Sequence, residues 1–246
     1  MSESIAVGSG KGGVGKTSVV AGVSTCLAAM GYRVLAVDAD IGLRNLDIVL
    51  GLSDMTALDF GDVLRGNATL ERAVVYNNTT ENLCLLNAPF SLEESYDAGF
   101  GKMIESAKEL FDYCIIDCAA GLGRSLRMAT SAADRVLIVT TLDKTSLRDS
   151  ALAVELAVNL GAPKVEMIVN RVRPRITAKA KSPNVDDAID IVRAQLIGVV
   201  PEDDRVIISA NREIPIITQA SDGAALVYYN IARRIIGQQV PLMKIK

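Results

Sequence analysis

Short apolar runs alternate with longer mixed stretches from one end of the chain to the other. The runs Ile5–Gly8, Val34–Val37, Leu83–Asn87, Tyr113–Ile116, Val136–Thr140, Val165–Val169 and Ile197–Val200 are rich in Val, Ile and Leu. Their length and bounding polar residues predict strands. Cys114-Ile115-Ile116 and Val136-Leu137-Ile138-Val139 carry no polar position at all. Such continuous runs belong to parallel sheets that helices cover on both faces. The stretches Ser18–Met30, Ala57–Arg65, Phe100–Phe111, Ser125–Ala132, Ser146–Leu160, Val185–Gln195 and Gly223–Ile236 read as the covering helices. The alternation predicts an α/β fold, a doubly wound and mostly parallel sheet flanked by helices. No repeat, low-complexity tract or linker divides it, so residues 1–246 are expected to form a single domain.

Ligands of such a sheet bind beyond the carboxyl ends of the strands. The first strand is followed by Gly10-Lys11-Gly12-Gly13-Val14-Gly15-Lys16-Thr17-Ser18, which contains the P-loop pattern G-x-x-x-x-G-K-T. Strand, loop and helix follow in the order that the motif requires. The glycines would let backbone N–H groups face a phosphate chain at a helix N-terminus. Lys16 would reach the β- and γ-phosphates, and the Thr17 hydroxyl would ligate Mg²⁺. A glycine-rich turn with a chance lysine is the plain alternative, and the flanks argue against it.

Two further strand ends carry acids. Asp38 and Asp40 follow the second strand with one residue between them. That spacing sets both carboxylates on one side of an extended chain, where they suit Mg²⁺ and water. Asp117 closes the run Cys114-Ile115-Ile116, as a Walker B aspartate does. Gly121 would offer an N–H to the γ-phosphate. The fold is thus expected to be that of a P-loop NTPase, with Thr17, Asp38, Asp40 and Asp117 around the metal.

Composition narrows the chemistry. The chain has 246 residues and no histidine, which removes His-based triads, metal sites and acid–base catalysis. A net charge of −3 argues against a protein that coats nucleic acid. Arg171, Arg173, Arg175, Lys179 and Lys181 crowd together but no aromatic residue is interleaved, so a solvated loop is expected. Phe90, Tyr96 and Phe100 read as ordinary packing. The four cysteines lack C-x-x-C pairing and read as buried free thiols of a reducing cytoplasm. Neither a signal peptide nor a spanning run of apolar residues is evident.

Lys11 is foreign to an ordinary P-loop. With it, the loop resembles the deviant P-loop of the MinD/ParA ATPases. The segments Asp38–Asp47, Asn170–Pro174, Gly198–Asp203 and Asn230–Gly237 extend the resemblance from residue 5 to about 242, most closely to the division-site branch of that family. The resemblance implies a slow, partner-stimulated ATPase that needs ATP and Mg²⁺. It implies an ATP-dependent homodimer in which Lys11 reaches the partner's nucleotide. Asp40 would position the attacking water, with Lys11 and Lys16 as the other catalytic groups, and Asp38 would lie near the metal. Asn170, with Arg171 beside it, and the Pro201-Glu202-Asp203 turn would hold the adenine. Asp149 would fall on a dimer or partner surface. Division regulators of the MinC and MinE kind would be partners, and nucleic acid would not. A ParA-like, flagellar-number or metal-cluster-carrying relative would share the engine with a different cargo.

Three departures bear on these expectations. Ala119 stands where the family has proline in its Asp-x-Pro-Ala-Gly loop, so the loop is expected to be less rigid. Glu213 stands where glycine is preferred, which would alter a partner contact. Pro241 interrupts the tail Gln238–Lys246, so attachment to the inner face of the membrane is expected only if the chain extends beyond Lys246.

Overall fold

In the computed structural model, all residues are described except 1, 56, 57, 92, 94, 95, 175–181 and 244–246. Among the described residues, the strands are β1 (Glu3–Gly8), β2 (Val34–Ala39), β3 (Val75–Tyr76), β4 (Leu83–Leu86), β5 (Tyr113–Cys118), β6 (Arg135–Thr140), β7 (Val165–Val172) and β8 (Gln195–Pro201). They form one sheet in the order β3-β4-β2-β5-β1-β6-β7-β8. Every pairing is parallel except β3 with β4. The short β3 escaped the sequence because two residues carry no periodicity.

The helices are α1 (Lys16–Ala29), α2 (Leu46–Leu50), α3 (Phe60–Leu64), α4 (Leu70–Ala73), α5 (Tyr96–Leu110), α6 (Arg124–Ser131), α7 (Lys144–Asn159), α8 (Val185–Val192), α9 (Asp204–Asn211) and α10 (Gly223–Ile235). Alternate strand residues feed two apolar layers. Val34 and Ala36 pack with α1 and α10, through residues such as Val19, Val23, Tyr228 and Ile231. Leu35 and Val37 pack with α3, α5, α6 and α7 through Phe60, Phe100, Leu126 and Ala153. Burial of both faces is why the strands lack polar positions.

Several helix boundaries differ from expectation. The segment read from Ala57 to Arg65 is helical only over Phe60–Leu64, where Asp59 and Asp62 form a reciprocal capping box, and Ala57 lies outside the described residues. The segment read to Gln195 stops at Val192, because Arg193 turns left-handed and Gln195 opens β8. Helices α2, α4 and α9 went unseen, since α2 and α4 are of five and four residues and α9 buries only Ser209. Helices of four or five residues are too short for an apolar stripe to repeat along the sequence.

Candidate functional site

The loop from Gly8 to Lys16 joins β1 to α1 at the carboxyl edge of the sheet. Gly15 takes φ of 88° as the residue before α1, a conformation that glycine adopts without strain. No side chain caps α1 there, so its first N–H groups remain open to an anion. Gly10 has no room for a side chain, since a Cβ would collide with the backbone carbonyl of Asp149 in α7. Asp149 therefore supports the loop through its main chain. Gly12 and Gly13 form the exposed crest of the loop, and Val14 is buried beneath it.

Lys16 is only 8 % exposed, and no ion pair joins it to a described residue. Its charge instead faces carboxylates. Asp38 and Asp117 lie in register on adjacent strands and are both buried. Burial pushes Asp117 up to about 7, the neighbouring Thr17 hydroxyl works against it, and the charge of Asp38 adds to it. One carboxylate oxygen of Asp117 has no hydrogen-bond partner. Asp40 is raised by burial and pulled back by Lys16. A buried ammonium, open helix N–H groups and an orphaned buried carboxylate oxygen together fit a Mg²⁺-bound phosphate chain.

Asp38, expected near the metal, is also tied to the backbone around it. Asp38 accepts from the N–H of Asp40 at 2.8 Å on one oxygen, and from those of Asn45 and Leu46 at 3.2 Å each on the other. Its oxygens are engaged by the backbone, so it shapes the loop that carries Asp40 and starts α2. Burial pushes it up to about 6, against the pull of the Asp40 and Leu46 N–H groups. Among the described residues no three acidic or thiol groups come together as a metal cage. Mg²⁺ commonly binds through one or two carboxylates plus phosphate, which needs no such cage.

Lys11 turns away from Lys16. Its ammonium donates to the Thr145 hydroxyl at 3.1 Å and pairs with Asp143 at 3.5 Å, at the start of α7. The acceptor is fixed in turn, because Asp143 caps α7 through the Ser146 N–H at 2.9 Å. Asp143 in the pattern D-x-x-S ahead of a helix was a readable cap signal, but its tie to Lys11 spans 132 positions and was not.

On the other side of the loop, Asn170 is 3 % exposed and donates to the Val14 carbonyl at 2.8 Å. Arg171 is left-handed, with φ of 57°, and donates to the Gly13 carbonyl at 3.0 Å. It also grips Glu202 with two hydrogen bonds, at 2.9 and 3.0 Å, and Arg173 pairs with Glu202 at 3.2 Å. Gly15, Ser18, Asn170, Pro201, Val206 and Tyr228 help to line a pocket of about 130 Å³ there. Its lining mixes apolar side chains with a few polar groups, as small-molecule sites do. Three residues expected to hold the base also carry structural loads. Arg171 and Glu202 latch the β7 and β8 ends to the P-loop. Asp203 caps α9 through the Arg205 N–H and accepts from Ala224 at the start of α10.

Two sequence departures have local explanations. Ala119 has an N–H that proline would lack, and the Ser125 hydroxyl accepts it at 2.9 Å. Gly121, expected to face phosphate, donates instead to the Ser9 carbonyl at 2.9 Å. Glu213 adopts φ of 55°, the region where glycine is strain-free, and its carboxylate accepts from Ser53 at 2.8 Å. Of the basic run, Arg175, Lys179 and Lys181 lie outside the described residues. All four cysteines are buried.

Residues 5–216 match the CobQ/CobB/MinD/ParA nucleotide binding domain. The chain belongs to that family. The septum site-determining protein MinD of Synechocystis is 38% identical over 248 residues, spanning 99% of this chain and 92% of that protein. The MinC:MinD cell division protein complex of Aquifex aeolicus superposes with a TM-score of 0.92 at 34% identity, covering 99% of each chain. The septum site-determining protein MinD of Pyrococcus horikoshii, complexed with Mg-ADP, gives a TM-score of 0.84 at 30% identity, over 96% of this chain and 97% of that one. The fold expected from the apolar pattern is that of these family members, an eight-stranded, mostly parallel sheet flanked by helices. Among the described residues no helix is long and apolar enough to cross a membrane.

Proposed function

We propose that the protein is a MinD-like ATPase whose ATP-bound form dimerises and takes part in positioning the division site. The observation that carries this reading is the P-loop cradle. Buried Lys16 and the uncapped start of α1 face Asp117, with its orphaned oxygen, and half-buried Asp40. In this reading Thr17 and Asp117 hold Mg²⁺, directly or through water. When bound, the metal neutralises charge that develops on the transferring phosphoryl group.

The chain's own groups do the rest. Backbone N–H groups of the loop orient the phosphates. Lys16 offsets the charge of the γ-phosphate. Asp40 holds and orients the attacking water, and as a carboxylate it is a weak base at neutral pH. Hydrolysis is therefore slow until a partner completes the site. Lys11 is set on Asp143 and Thr145 in the single chain, and it leaves them to reach a second subunit. The Asn170 pocket receives the base, with Ser18 and Pro201 on its walls. A MinC-like regulator is the first partner to expect, by analogy with the Aquifex complex. A MinE-like stimulator is the second.

DNA segregation by the same engine is less well supported. Arg171 and Arg173, the described arginines of the basic run, are both paired with Glu202. A bridging metal cluster finds no exposed thiol among the four cysteines.

Solution mass of the Asp40→Ala variant tests the reading. A dimer with Mg-ATP and a monomer with Mg-ADP are expected. A monomer in both would overturn the switch, whereas wild-type turnover in that variant would remove Asp40 from catalysis. Co-sedimentation of the dimer with anionic vesicles tests attachment to a membrane surface.

A further inference from the structure

The first turn of α6 touches three strand ends at once. Ser125 is 8 % exposed and its hydroxyl makes two bonds. It accepts the Ala119 N–H at 2.9 Å and donates to the Ala39 carbonyl at 2.8 Å. Ala39 ends β2 and directly precedes Asp40, while Ala119 follows β5 two residues after Asp117. The next residue, Leu126, packs where a Cβ on Gly8 would stand, at the end of β1. The loop after Ala119 continues the connection. Gly121 donates to the Ser9 carbonyl at 2.9 Å, and the Ser9 hydroxyl donates to the Lys11 carbonyl at 2.7 Å.

A serine hydroxyl has one hydrogen to donate and lone pairs to accept with. Here both capacities are used on main-chain groups of different loops. Ala39 is fully buried at the strand end, and Ala119, unlike a proline, carries an N–H that needs an acceptor. We propose that Ser125 is a positioning residue for ATP hydrolysis, clamping the Asp40 loop to the Asp117 loop so that the water-orienting carboxylate keeps its spacing from the P-loop. The proposal rests on the ATPase reading above. Ser125 touches neither nucleotide nor metal in this scheme. It acts through Ala39, and a small displacement of a catalytic carboxylate is enough to slow a reaction that depends on alignment.

Steady-state ATP hydrolysis with Mg²⁺ and the Kd for a fluorescent ADP analogue separate positioning from simple destabilisation. Ser125→Ala is expected to lower kcat about tenfold while KM and the ADP Kd stay within about twofold. Ser125→Thr keeps the hydroxyl and should recover most of kcat. Ala119→Pro combined with Ser125→Ala leaves no Ala119 N–H to orphan, yet still frees Ala39, so its kcat should remain low. That double variant also serves if Ser125→Ala alone does not fold. Wild-type kcat in Ser125→Ala, or in the folded double variant, overturns the clamp. So does a loss of kcat that comes with an equal loss of ADP affinity and that Ser125→Thr does not restore. No hydrolysis by the wild-type protein would overturn the ATPase reading itself, and the clamp with it.

Discussion

Replacing Asp143 by Asn probes whether Lys11 is held in reserve. Asn preserves the shape of the side chain and remains a good helix cap, so α7 keeps its start. The charge that holds Lys11 is lost, together with one of the two oxygens that accept from the Thr141 and Thr145 hydroxyls. The pair lies at 3.5 Å with both side chains 47 % exposed. Coulomb's law gives about 1.2 kcal/mol at that distance in bulk water. Side-chain ordering and screening reduce exposed pairs to about 0.2–1 kcal/mol. A symmetric dimer releases two lysines, so the stake is about 0.4–2 kcal/mol. That range corresponds to dimerisation that is about 2- to 30-fold tighter in the variant. The assay is sedimentation of the Mg-ATP form over a range of protein concentrations, at low and high salt. The gain should shrink as salt rises, because the pair that it removes is itself screened. An unchanged or weaker dimer would refute the reasoning, and would mean that Asp143 does not compete with the partner for Lys11.

Other outcomes follow from the same geometry. Asp203→Ala removes the acceptor shared by the starts of α9 and α10. It should lower stability by about 1–3 kcal/mol, seen as a fall in Tm of about 2–12 °C. Glu213→Gly relieves a left-handed glutamate at the loss of one exposed hydrogen bond to Ser53, and should raise Tm by a few degrees, about 1 kcal/mol at most. Asp143 also makes a pH prediction. Burial opposes its charge, yet Thr141, Thr145, the Ser146 N–H and Lys11 together hold it down at about 2. A carboxyl lowered on folding stabilises the folded state above its ordinary value near 3.9, and loses that contribution as pH falls through about 2. The stability difference between wild type and Asp143→Asn, from denaturant titrations at pH 5, 4, 3 and 2, should therefore narrow only at the acid end.

Much of this protein was legible along the chain. Apolar runs such as Val136–Val139 already required burial on both faces, and so a parallel sheet between helix layers. The P-loop could be read because its groups are contiguous and act through their own backbone. The acids Asp38, Asp40 and Asp117 could be found because strand ends are where such a sheet binds ligands. What each acid does was decided elsewhere. Asp38 is taken up by the N–H groups of Asn45 and Leu46, a choice fixed only when the chain folds back after β2. Arg171 and Glu202, expected at the nucleotide, also form a latch, because β7 and β8 lie side by side in the sheet. Lys11 meets Asp143, and Ser125 meets Ala39, across 132 and 86 positions. Local pattern determines where backbone hydrogen bonds and apolar faces go, since those depend on near neighbours. A side-chain hydroxyl or carboxylate takes whichever partner the packed layers bring within 3 Å, and only the tertiary structure decides that.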